Sequence, residues 1–208
     1  MALLRSLLRG ETVNFQGEIF QINGARMGFA PAASIPIYMT AVKAQMLRLA
    51  GELGDGVLLS AGCAPKYIAQ CVAEVGSGAE RAGKPVQRRD VAGFITTAVS
   101  ENAREAIDAS KTFLAYIFRN KHHAENIRMG GGRVDQEALA AAVANRDWEG
   151  ARKFISDEVV HAHSISGTPA ACRKRLEEFI EGGIDLPVLL PMGTQEMRRG
   201  VVELARRL

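Results

Sequence analysis

No apolar run in these 208 residues approaches the ~20 needed to span a bilayer, which sets membrane functions aside. Cysteine is scarce: Cys63, Cys71 and Cys172 are odd in number, widely spaced and never in CxxC form. That pattern excludes a disulfide framework and a thiolate zinc site, and suits free thiols in a reducing cytoplasm. Charge of one sign is lacking as well. Twenty-six basic residues against 23 acidic ones leave a net +3, spread along the chain, so there is no case for a nucleic-acid partner. GxGxxG, a Walker loop and GxSxG are all missing. The opening "MALLRSLLRGE" is too short and too charged for a signal peptide.

What is there reads as one globular domain over residues 1–208, with 47% hydrophobic and 24% charged residues. Leucines at 3, 4, 7 and 8 predict the last turns of a helix, stopped by Gly10. "TVNFQGEIFQIN" predicts a small hairpin or extended loop, and the irregular residues up to 34 complete an N-terminal insertion. Pro31 to Pro36 form an extended lead-in. Strand–helix units follow. "IPIYMTA" with "AQMLRLAGELG", "DGVLLSAG" with "PKYIAQCVAEVGSGAERAG", and "DVAGFITTAVS" with "NAREAIDASKTFLAYIFRN" are the first three. A helical insertion is expected over roughly 124–160. Thr168 then caps a helix with Pro169 in its first turn, and Gly182-Gly183 ends it. "IDLPVLLPMG" is the fourth strand and "TQEMRRGVVELARRL" the closing helix. Apolar strands alternating with helices imply a parallel sheet, either doubly wound or closed as a barrel.

The candidate site is the turn from Thr40 to Gln45. It lies at the carboxyl end of a strand and the start of a helix, where free backbone amides and the helix dipole favour an anion such as phosphate. It has no glycine for close backbone approach, but it offers the Thr40 hydroxyl and the Lys43 charge. Taken alone, it also reads as an ordinary connection. Ser60, Ala61 and Gly62 end the next strand in the same position, leaving room for a ligand or making a tight turn. Thr96 and Thr97 suit a strand without any further role. "HAH" puts His161 and His163 on one face if the segment is extended, yet no carboxylate or thiol stands at a helpful spacing, so no metal is expected. "KHH" reads as a solvated helix end, Trp148 as a packing residue and "GGGR" at 130–133 as turn chemistry. No general acid or base stands out.

Four stretches in order carry a resemblance over nearly the whole chain: "LLRSLLRGETVNFQGEIFQI", "PIYMTAVKAQMLRLAGELGDGVLL", "ERAGKPVQRRDVAGFITTAVSENAREA" and "VVHAHSISGTPAACRKRLEEFIEGGIDLPVLLP". Together they resemble the C-terminal part of the bacterial luciferase-like oxidoreductases, nearest to the methylenetetrahydromethanopterin reductase-like subgroup. The resemblance implies an α/β fold, a partial TIM-type (β/α) barrel of four parallel strand–helix units with a helical insertion. It also implies hydride transfer or monooxygenation with a deazaflavin (coenzyme F420) or flavin (FMN) and a small-molecule substrate. Cofactor contacts would fall on Thr40, Ala41, Val42, Lys43 and Ala44 for phosphate, with Ser60 and Gly62 at the mouth. Where the family has Gly-Pro, this chain has Lys43-Ala44; the lysine either blocks close approach or supplies a charge in its place. Eight units close such a barrel and only four are legible here. Open edges and an apolar inner face then predict association, most simply a homodimer. The rival reading is a catalytically silent half-barrel, acting as an oligomeric scaffold or completed by another chain.

Overall fold

The computed structural model describes residues 1–29, 31–83 and 90–206. Three readings reach beyond them: Ala30 in the irregular segment, residues 84–89 in the third matched stretch, and the last two residues of the closing helix. Helix α1 (Ala2–Leu8) leads into an antiparallel hairpin of β1 (Val13–Gln16) and β2 (Gln21–Ala25), the predicted hairpin. The Asp55 carboxylate ties this start to the main body. It accepts from Arg5 Nη1 at 2.8 Å and from the Ile37 backbone amide at 2.8 Å.

The main sheet begins with β3 (Tyr38–Thr40), α2 (Ala44–Leu53), β4 (Gly56–Leu59) and α3 (Pro65–Arg81). The ten-residue β5 (Asp90–Val99) and α4 (Ala103–Phe118) follow. Four short helices come next: α5 (Ala124–Met129), α6 (Gln136–Ala144), α7 (Trp148–Lys153) and α8 (Asp157–His163). β6 (Ile165–Gly167), α9 (Pro169–Glu181), β7 (Leu186–Pro191) and α10 (Gln195–Ala205) complete the chain. All pairings in the main sheet are parallel. Thr97 pairs with both Ile165 and Pro191, and Ala92 with both Leu58 and Leu186, so β5 is bonded along both sides. β4 and β6 share one side; β7 takes the other. The order β3–β4–β5–β7 therefore follows the chain without reversal. That singly wound order belongs to a barrel and not to a doubly wound sheet.

One expectation needs correction. The strand after the helical insertion is β6, so among the described residues the main sheet has five strands and "LPVLLP" is the fifth. β6 spans three residues, too few to show a period of two, and it exists because the end of β5 offers unpaired backbone groups beyond β4. The threonine cap holds: Thr168 accepts from the Ala171 amide.

The strands bury one face under helices. Val57, Leu59, Val91, Ile95 and Val99 join Leu47, Ile68, Cys71, Val75, Leu176 and Phe179 in one core. Each such side chain contributes about 2 kcal/mol on full burial. A second core lies outside α4, where Leu114 and Phe118 meet Ile127, Leu139, Ile155 and Val159 of the insertion. The three cysteines are buried and free. No helix among the described residues is long and apolar enough to cross a membrane.

α2 and α3 cross with backbone against backbone. A Cβ on Gly51 would fall on the Val75 carbonyl oxygen, and one on Gly78 would fall on that of Arg48. Backbone cannot yield as a flexible side chain can, so Gly78→Ala should force the helices apart. The expected cost is about 2–3 kcal/mol, typical of overpacking, read as a lower urea midpoint; an unchanged midpoint would contradict the close crossing.

Candidate functional site

Parallel pairing places partners on the same face, so the register defines the inner, concave side of the sheet. It runs in rows: Tyr38–Gly56–Asp90, Thr40–Leu58–Ala92–Leu186, Phe94–Val188 and Thr96–Leu190. At the amino-terminal end the Tyr38 hydroxyl donates to Asp90, which helps push its pKa up to about 12. Further along, the face is apolar and uncovered. Leu186 is 45% exposed and Val188 37%, values unusual for strand residues of this kind.

At the carboxyl ends of the strands this face deepens into a cavity of about 310 Å³. Thr40, Ala41, Val42, Leu58, Ser60, Phe94, Phe113, Ile117 and Leu190 are in its wall, and among the described residues no charged side chain takes part. Such a lining suits a flat, weakly polar ring and disfavours a naked charge. A second cavity of about 240 Å³ lies behind the same turn. Val42, Lys43 and Ala44 face it, together with Tyr67, Glu74, His122 and Glu125. Tyr67 closes the partition by donating from its hydroxyl to the Val42 carbonyl at 2.8 Å.

The turn read from the sequence as one phosphate cradle is thus a wall between two cavities. Thr40, Ala41, Val42 and Ser60 are brought together on the inner side. Lys43 and Ala44 face the rear, where Glu74 and Glu125 make a poor home for an anion. Gly62 is in neither wall. Its φ of +81° and the contact a Cβ would make with Phe118 and Ile117 explain the glycine. α2 opens at Lys43 without a side-chain cap, which leaves its first-turn amides available. Six lining residues escaped the sequence reading: Leu58, Leu59, Phe94, Phe113, Ile117 and Leu190. Only the strand register and the position of α4 bring them together, although period two along "DVAGFITTAV" does put Phe94 on the face opposite Ile95.

The histidines also differ from expectation. His161 and His163 sit on α8 instead of an extended segment, so one is exposed while the other is fully buried. In "KHH", Lys121 and His122 are solvated, but His123 is buried. Trp148, expected in packing, is 39% exposed at the start of α7. Among the described residues no cluster of three His, Cys, Asp or Glu is placed to hold a metal. His163 Nδ1 lies 2.8 Å from the Gly62 carbonyl, which can only accept, so Nδ1 carries the proton. Nε2 is left buried with no partner among the described residues. Burial holds both His163 and His123 at about 4, against an ordinary 6.5. Burial likewise pushes the Cys63 thiol up to about 12, with the Ser60 hydroxyl opposing it, so neither thiolate nor imidazolium is present at neutral pH.

The two buried imidazoles make a pH prediction. Above pH 6.5 they are neutral in both folded and unfolded chains and change nothing. As pH falls below 6.5 the unfolded chain takes up protons that the folded chain refuses, and the loss is complete below about 4. Each histidine should remove up to about 3 kcal/mol across that window. Urea midpoints measured from pH 7.5 to 4 should fall steadily; a flat profile would mean that the histidines are solvated.

Comparison with known proteins bears on this site. The sequence profile of the family described as luciferase-like monooxygenase matches residues 1–186. The 5,10-methylenetetrahydromethanopterin reductase of Archaeoglobus fulgidus is 35% identical over 186 residues, covering 88% of this chain and 55% of that protein. The F420-dependent glucose-6-phosphate dehydrogenase of Mycolicibacterium gilvum is 36% identical over 83 residues, covering 39% of this chain and 25% of that one. The solved coenzyme F420-dependent tetrahydromethanopterin reductase of Methanopyrus kandleri superposes with a TM-score of 0.83 at 26% identity. It covers 98% of this chain and 58% of its own. This chain therefore spans little more than half the length of these reductases.

Proposed function

The chain belongs to the luciferase-like monooxygenase family, and from that premise we propose that it serves an oxidoreductase of the deazaflavin- or flavin-dependent kind, nearest to methylenetetrahydromethanopterin reduction. The carrying observation is the apolar cavity at the carboxyl ends of β3 and β4, beside Phe94 of β5 and Leu190 of β7, the end at which (β/α) barrels bind their ligands. The lining fits the group in kind. Leu58, Phe94 and Leu190 offer flat apolar contact for a tricyclic ring, and Thr40 offers a hydroxyl at the rim. At about 310 Å³ the cavity is at the small end for a cofactor site, so these residues form one wall of it.

When bound, coenzyme F420 or FMN would supply the hydride or oxygen chemistry. This chain's part is to orient the ring and to keep water from its buried side. Thr40, Ala41, Val42 and Ser60 make the inner contacts. Ala44, with the uncapped amides of α2, and Lys43 present positive potential through the turn toward a phosphate at the rim. Gly62 holds the wall against α4. The substrate is a small molecule reaching the ring from the carboxyl ends of the strands.

A second copy of the chain completes the site by covering the exposed inner face and the open edges of β3 and β7. The exposed Leu186 and Val188 support this arrangement. Light scattering after size exclusion should give twice the chain's mass; a monodisperse monomer would count against the dimer.

Fluorescence titration tests the cofactor reading. Saturable micromolar binding of coenzyme F420 or of FMN is expected, and no binding of either at millimolar concentration would sink it. Thr40 is exposed at the rim, so Thr40→Glu should leave the melting temperature unchanged. By repelling phosphate, that substitution should weaken binding about tenfold, the effect of one unfavourable charge contact of about 1.4 kcal/mol.

A further inference from the structure

The Gly62 carbonyl receives two hydrogen bonds, and both come from the helical insertion. Asn126 Nδ2 on α5 donates at 2.7 Å, and His163 Nδ1 at the end of α8 donates at 2.8 Å. Asn126 then turns its Oδ1 to accept from the Ala64 amide at 2.9 Å. Both side chains are fully buried. The loop they hold runs from Ser60 to Ala64, and its first two residues line the inner cavity. Its other side is set by α4. A Cβ on Gly62 would touch Phe118 and Ile117, and Ile117 is itself in the cavity wall. Phe118 in turn packs edge-on against His163, with ring centroids 4.9 Å apart.

Mere space filling does not account for these residues. A phenylalanine would fill the His163 site without leaving a ring nitrogen buried and unpaired, as Nε2 is. Gly130 is also kept bare beneath the ring, since a Cβ there would strike Nε2. What the histidine provides is a directed donor on one carbonyl.

We propose that Asn126 and His163 are positioning residues for the cofactor site: they clamp the Ser60–Ala64 loop so that the wall formed by Ser60, Ala61 and Ile117 has one fixed shape. This rests on the cofactor reading of that cavity for its consequence, but the clamp itself can be tested separately. The helical insertion, which contributes no residue to the cavity wall, thereby controls affinity there.

Two measurements on the whole chain decide it. Hydrogen exchange is followed for the amides of residues 60–64 and, as internal reference, for those of β4. Coenzyme F420 and FMN are titrated in parallel. His163→Phe keeps the volume but loses the donor, and His163→Asn restores a donor near the Nδ1 position. His163→Phe should speed exchange in the loop about tenfold while β4 is unchanged, the effect of one net hydrogen bond, and should weaken binding by a similar factor. His163→Asn should recover both to within about threefold. Equal loop exchange in all three proteins would overturn the clamp. So would a rise shared equally by β4, which would mark a general loss of stability. If His163→Phe fails to fold, Asn126→Ser carries the same exchange test on the Ala64 amide. Wild-type protein that binds neither cofactor would remove the cofactor reading, and the exchange result would still decide the clamp.

Discussion

Strand β5 is the constraint on which the remainder depends. Its ten residues hydrogen-bond along both sides, to β4 and β6 on one and to β7 on the other. That double pairing fixes register, and register decides every facing. A slip of one residue would bring Phe94 and Thr96 under the helices and put Ile95 on the concave side. The core beneath α2, α3, α9 and α10 and the cavity on the opposite face are therefore two results of one alignment.

The site is organised by a partition. The short turn after β3 separates an apolar cavity inside the sheet from a polar one behind it, and Tyr67 pins the partition through the Val42 carbonyl. A charge and a flat apolar surface are thus available within a few residues without sharing a compartment. The loop after β4 is treated in the same way from the other side, by Asn126 and His163. In both cases a buried side chain secures a backbone carbonyl next to the cavity, where a loosely held loop would have no fixed shape to offer a ligand.

The relation to longer reductases gives the open face its meaning. Leu186 and Val188 stand on the face of the sheet that a closed barrel would bury, and the outer edges of β3 and β7 have no pairing among the described residues. Apolar strand residues left to water are costly, which is the physical ground for the proposed second copy.

Much of the fold was legible in the sequence. Apolar strands, helix-period runs between them, Thr168-Pro169 and the double glycine are local signals, and local signals report local structure. The hairpin, four of the five main-sheet strands and the helical insertion could be placed from them. Family resemblance carried the barrel, because composition and spacing left a doubly wound sheet equally open. β6 was not legible, since three residues have no measurable period and owe their extended form to the free end of β5. The site was half legible: Thr40, Ala41, Val42 and Ser60 come together on the inner side, while Lys43 and Ala44 face away and Gly62 serves backbone geometry. Phe113, Ile117, Asn126 and His163 were out of reach. Their roles arise between residues up to 101 positions apart. Local sequence accounts for the helices and for the strands other than β6, because those preferences act within a few residues. The existence of β6, the side of the turn each residue faces and the distant side chain that holds it follow from strand register and helix packing, which no local stretch encodes.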